Sequence, residues 1–140
     1  PTTFVSSVTG GTRLPAHATI LGRVLLADAD DATLRALYPQ TALPPVSPRS
    51  PRTLTDLRRL LQEDRARGYA VSESFFEQGI SAIAAPVRDD SGRIVAAVSV
   101  TAQRPSLEPK ALRERLVAQV LGTAAELSRQ LNYRPAETAA

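Results

Sequence analysis

The sequence predicts an α+β fold, an antiparallel sheet with helices packed on it, and three observations carry that expectation. Apolar residues recur at helical spacing in four separate segments, while β-branched and small apolar residues gather in four short ones. The two kinds of segment do not alternate one for one. The last two strand-like segments are joined by a polar turn far too short for a parallel crossover. The chain has 140 residues, 43% of them apolar and 22% charged, enough to bury the core of one domain.

Taken in order, residues 2–8 are β-branched and partly alternating, which predicts a strand. Residues 10–17 form a loop loosened by Gly10 and Gly11 and stiffened by Pro15. A first helix over residues 18–27 places Ile20, Leu21, Val24 and Leu25 on one apolar stripe. Asp30 is positioned to cap a second helix over residues 31–38, which buries Leu34 and Leu37 and stops before Pro39. Residues 39–52 hold five of the eleven prolines and predict an extended surface loop.

Thr53 and Thr55 are candidate caps for a third helix ending at Gly68, with Leu54, Leu57 and Leu61 on one face. Residues 69–75 and 80–87 predict strands separated by a turn at residues 77–79. Residues 88–93 make a polar hairpin turn, and residues 94–101 pair back. Pro105 breaks the chain, and Ser106 caps a long last helix over residues 107–131. Its apolar stripe runs through positions 112, 116, 120, 124, 127 and 131. Residues 135–140 form a flexible tail, and no internal repeat is present.

Composition excludes several functions. With no cysteine and one histidine, the residue types that zinc and iron favour are scarce, so no metal or other cofactor is expected. No run approaches the roughly 18–20 apolar residues of a membrane span, and no basic-then-apolar leader is present, which points to a cytoplasmic protein without membrane contact. The net charge of +3 is small and the arginines are dispersed among acids, which argues against nucleic-acid binding by these residues. The absence of methionine and the start at Pro1 point to a fragment of a longer polypeptide.

Candidate functional residues cluster around the first loop. A helix start after a glycine-rich loop offers amide donors for a small anion, and Arg13, His17 and Thr19 add charge and donors there. Arg13 is either a carboxylate partner or an exposed loop arginine. His17 either donates to a bound acid or satisfies a backbone group at the helix start, whereas Arg23, one turn inside, suits an ion pair or an interface. Ser99 and Thr101 lie two apart on one strand, so their hydroxyls share a face while Val98 and Val100 point into the core. That polar face needs partners from a ligand, water or bulk solvent. Gly10-Gly11-Thr12 lacks the lysine and spacing of a phosphate loop. Glu73 and Glu77 straddle a strand end and do not suit an acid–base pair.

Five segments follow one another along the chain: Arg13-Leu-Pro-Ala-His-Ala-Thr19, Gly22-Arg-Val-Leu-Leu-Ala27, Arg67-Gly-Tyr-Ala70, Gly79-Ile-Ser-Ala-Ile-Ala-Ala-Pro-Val-Arg-Asp89 and Gly92-Arg-Ile-Val-Ala-Ala-Val-Ser99. In this order and spacing they resemble the effector-binding domain of IclR-type bacterial transcription regulators. The Gly22-Arg-Val-Leu-Leu-Ala27 and Arg67-Gly-Tyr69 wording is most similar to the branch that senses aromatic acids. The resemblance implies a GAF-like fold over residues 1–134, with a helix and strand pair of the family absent ahead of Pro1. It also implies a homodimer or tetramer, and contact with DNA only through an N-terminal winged helix absent from this sequence.

The resemblance further implies an effector pocket lined by Gly11 and Leu14 in the loop, Ser72 on the strand after Tyr69, Ile80 and Ala82 after the Gly79 turn, and Ser99 and Thr101 on the hairpin, with Ser6 on the first strand. Members that bind small oxo-acids tend to carry Asp at the position of Ser72 and Cys at that of Ala82, so a roomier, less negative cavity for a bulkier acid is implied. The expectation is a ligand-sensing domain, not an enzyme, that binds a small and aromatic organic acid, with Arg13 and His17 completing the site. The alternatives are hydrolysis or isomerisation of a small acid with His17 as base, and a purely oligomerising module.

Overall fold

Three antiparallel strands in the order β1-β2-β3 form the sheet of a computed structural model that describes residues 9–136 of the chain. They are β1 (Ala70–Glu73), β2 (Ser81–Arg88) and β3 (Ile94–Ala102). The strand expected at residues 2–8, and Ser6 with it, lies outside the described residues. Four α-helices accompany the sheet, α1 (Ile20–Leu26), α2 (Asp31–Leu37), α3 (Leu54–Arg67) and α4 (Lys110–Gln130), with a single 3₁₀ turn at Ala16–Ala18 ahead of α1. This is the expected α+β architecture.

β2 is the central strand and is covered on both faces, which explains its nearly unbroken apolar run. Ile83, Ala85 and Val87 face α4 and pack with Leu107, Val120 and Ala124, joined by Val98 and Val100 of β3. Ala84 faces the other way and packs with Ala70 and Val24 of α1. A further core lies among the first three helices, where Leu26, Leu34, Leu43, Leu54, Leu57 and Leu61 meet.

Local signals set the helix ends. Thr19, Asp30 and Thr53 each accept a hydrogen bond from the backbone N–H three residues on, at Gly22, Thr33 and Asp56. Gly68 closes α3 in the left-handed conformation, φ 83°, that glycine adopts without strain. Gly22 is required for another reason: a Cβ there would stand 2.2 Å from the carbonyl oxygen of Ala16. The 3₁₀ turn therefore packs backbone to backbone on α1.

Several expectations are corrected. Leu25 is 51% and Leu37 55% exposed, so α1 buries Gly22, Arg23, Val24 and Leu26 instead of the stripe through Leu21 and Leu25. A seven-residue helix makes two turns, and packing chose the other side. Residues 39–52 are not a plain surface loop. The segment folds back on itself through Leu43 N–H to Arg52 O and Leu54 N–H to Thr41 O, and buries Leu43 and Ser50. Ser106 does not cap α4, which begins at Lys110 behind Pro109. The stripe of α4 fades at Leu127 and Leu131, both exposed. Ser128 is buried there instead, donating to Ala124 O and accepting from the Arg88 N–H.

Candidate functional site

A cleft of about 270 Å³ opens between the start of α1, the loop before it and the face of the sheet turned away from α4. Its floor is written into the strand register. Ser72 on β1 stands opposite Ala82 on β2, and Ala82 opposite Thr101 on β3, so one row crosses all three strands. Strand spacing separates the outer two backbones by about 10 Å, with only the methyl group of Ala82 between them. Ser99, two residues before Thr101, adds a third hydroxyl on the same face, opposite Ala84.

None of these three hydroxyls takes a partner among the described residues. Ser72 is buried, while Ser99 and Thr101 are exposed where the cleft opens. The remaining walls are largely apolar. Leu14 comes from the loop, Ile20 and Leu21 from α1, and Phe76 and Ile80 from the turn that joins β1 to β2. That turn is held by Gly79 N–H donating to the Ser74 hydroxyl and by Ser74 N–H donating to Ile80 O, with Ser74 itself at φ 52°.

Leu14, Ser72, Ile80, Ala82, Ser99 and Thr101 are thus brought together around one space. Gly11, Arg13 and His17 are not. Gly11 (φ 88°) shapes a tight turn closed by Thr12 N–H to Thr9 O, and Arg13 is exposed just outside the lining. His17 is 4% exposed, with Nε2 3.0 Å from the carbonyl oxygen of Pro44 and its ring edge-on to Tyr38. It ties the 3₁₀ turn to the proline-rich segment, which leaves the cleft without an imidazole base.

At the helix start, the Gly22 and Arg23 amides are taken up locally. Thr19 lines the cleft, but its hydroxyl accepts from Gly22 N–H and donates to Pro15 O, while its carbonyl accepts from Arg23 N–H. Sequence reasoning missed Ile20, Leu21, Phe76 and Glu77. Helical spacing places the first two in the core, although an apolar stripe wider than a seven-residue helix can bury is itself a signal. Glu77 is the only charged residue lining the cleft among the described residues.

Arg23 lies directly behind this wall and is nearly fully buried. Its Nε and Nη2 form a fork on the two carboxylate oxygens of Asp64 at 3.0 and 2.7 Å, and Nη1 donates to Val71 O. Its guanidinium sits 4.8 Å from the centre of the Phe75 ring. One side chain thereby joins α1, α3, β1 and the turn carrying Phe76.

Among known proteins, the family model described as the C-terminal part of the bacterial transcriptional regulator IclR matches residues 2–129. The Pca regulon regulatory protein of Pseudomonas putida is 36% identical over 124 residues, which cover 86% of this chain and 42% of that protein. The crystal structure of the Agobacterium tumefaciens repressor BlcR superposes with a TM-score of 0.81 at 32% identity, covering 91% of this chain and 51% of that one. An Acinetobacter PobR inducer-binding domain, a double mutant in complex with 3-hydroxybenzoic acid, superposes with a TM-score of 0.75 at 29% identity, covering 89% of this chain and 74% of that one. The chain spans about half the length of the curated relatives it matches, and those relatives are transcription regulators rather than enzymes.

Proposed function

This chain belongs to the IclR family of bacterial transcriptional regulators through its C-terminal, effector-binding domain, and on that premise we propose that its effector is a small aromatic carboxylic acid. The observation that carries the proposal is the row of partnerless hydroxyls across the cleft floor, facing walls of leucine, isoleucine and phenylalanine. Apolar walls suit the faces of a ring, and hydroxyls at both ends of a span of about 10 Å suit polar groups on opposite edges of it. With no arginine or lysine in the described lining, the carboxylate would be held by hydroxyl donors rather than by an ion pair. Glu77 would then accept from a phenolic hydroxyl.

The Pca regulon protein and the PobR domain with 3-hydroxybenzoic acid support this reading through their own names. In it, residues 1–134 form the sensing domain and residues 135–140 a tail. A winged helix elsewhere in the polypeptide contacts DNA in the cytoplasm, and the domains associate as a homodimer or tetramer. Ligand binding shifts the arrangement of those subunits.

Calorimetric titration of the chain with 3-hydroxybenzoate, 4-hydroxybenzoate and protocatechuate, with butyrate as the aliphatic control, tests the proposal. At least one aromatic acid should bind, and the Ser99→Val, Thr101→Val double variant should weaken it roughly tenfold, the loss of two ordinary hydrogen bonds. Preference for butyrate, or unchanged affinity in the double variant, would overturn it.

A further inference from the structure

A second cleft, about 440 Å³, lies at the outer edge of β1 and is lined by Arg23, Arg49, Arg67 and Arg113 together with Glu63 and Glu73. We propose that it is an oxyanion site, sharing only Ser72 with the effector cleft, for a small dianion bearing phosphate or two carboxylates.

The argument rests on donors and acceptors. Each guanidinium carries five N–H groups and accepts none. Asp64 behind the cleft receives three of these bonds, two from Arg23 and one from Arg67 Nη2 at 2.7 Å. Glu73 Oε1 accepts from Arg113 Nη2 and from the Leu107 N–H. Arg49 donates only to a neutral partner, the Glu73 carbonyl, at 2.9 Å. Arg113 makes one end-on bond, and its Nε is buried with no partner. Even with Glu63 counted, four guanidinium groups face three carboxylates, two of which already serve as acceptors.

These are not loose surface arginines. Arg23 stacks on Phe75 and is pinned by Asp64, and Arg67 sits 5.8 Å over the Tyr69 ring. Arg113 is held by Glu73, and Arg49 by the strand edge. Among the described residues, β1 is an outer strand whose outward carbonyls, at Val71 and Glu73, are both taken by arginines, which leaves its outward N–H groups facing the same space. A pre-positioned, donor-rich and acceptor-poor concavity is what a multiply charged oxyanion requires, because forked guanidinium bonds to it need little reorganisation.

Titrating the chain with inorganic phosphate and separately with succinate, at constant ionic strength, tests this by NMR of backbone amides and arginine Nε–H groups. Saturable shifts should centre on Val71, Glu73 and the arginine Nε–H groups, and phosphate alone or succinate alone would name the chemistry of the ligand. Arg49→Gln with Arg67→Gln should weaken binding by about tenfold, and exposed Arg49→Gln alone by less, with unchanged circular dichroism. The Ser99→Val, Thr101→Val variant should bind the dianion as before, which separates this site from the effector cleft. Shifts no larger than those from chloride, or affinity unchanged in the arginine variants, would overturn the proposal.

Discussion

Arg23 and Asp64 show what one pair of side chains contributes when both are buried, at 3% and 2% exposure. Removing either charge strands the other in a medium that solvates it poorly. Asp64→Ala should therefore destabilise the chain by about 3–5 kcal/mol, measured by urea unfolding, whereas Arg23→Met with Asp64→Leu should recover part of that loss. An Asp64→Ala cost near that of an exposed pair would contradict the burial. Gly22 sits one residue away and makes a sharper demand. A Cβ at this position would meet backbone at 2.2 Å, which no rotamer change relieves. Gly22→Ala should cost roughly 3 kcal/mol, read as a fall in the midpoint of the same transition, and a neutral result would show that the 3₁₀ turn yields easily.

Among the elements, α3 is the one whose ends and buried face were both legible. Thr53 caps it, Gly68 ends it, and Leu54, Leu57 and Leu61 point inward. Leu57 is 0% exposed, so Leu57→Ala should cost about 2–5 kcal/mol. The β2–β3 turn makes a different prediction. The Ser91 hydroxyl, then the backbone N–H groups of Ser91 and Arg93, donate to Asp89 and hold its carboxyl below its ordinary value of 3.8. A carboxyl lowered in the folded state stabilises the turn fully above its unfolded value and loses that contribution as pH falls through the lower folded one. Protection of the Ser91 and Arg93 amides, taken relative to their intrinsic exchange rates, should fall on acidification below that range, and Asp89→Asn should remove the dependence. The local part of this turn was readable because Asp, Ser and Gly encode it within six residues.

For the whole molecule, the sheet has two unlike faces. One is sealed by α4, and the other is only partly covered by α1, which leaves the cleft. Because Ser99 and Thr101 bond to no described residue, replacing both with valine orphans nothing, and the ligand-free chain should change by no more than about 0.5 kcal/mol. A bound effector at a hundred times its dissociation constant should add about 2.7 kcal/mol to the wild type. Thermal unfolding with and without 3-hydroxybenzoate separates the two effects: the double variant should keep the wild-type midpoint alone and lose about half of the ligand-induced rise. A lowered ligand-free midpoint would mean that these hydroxyls serve the fold instead.

Taken alone, the sequence determined the fold class, the capped ends of α2 and α3, the central strand, the hairpin and six residues that share the cleft. Each of these depends on neighbours in the chain, on strand parity, or on a family-wide spacing of motifs. Tertiary structure alone decided that Leu25 and Leu37 stay exposed while Leu43 is buried, that His17 turns to Pro44 and not to the cleft, and that Phe76 and Glu77 enter the wall. A two-turn helix or a proline-rich loop offers several faces of similar polarity. Which one is covered depends on partners distant in sequence, as Arg23 depends on Asp64, 41 residues away.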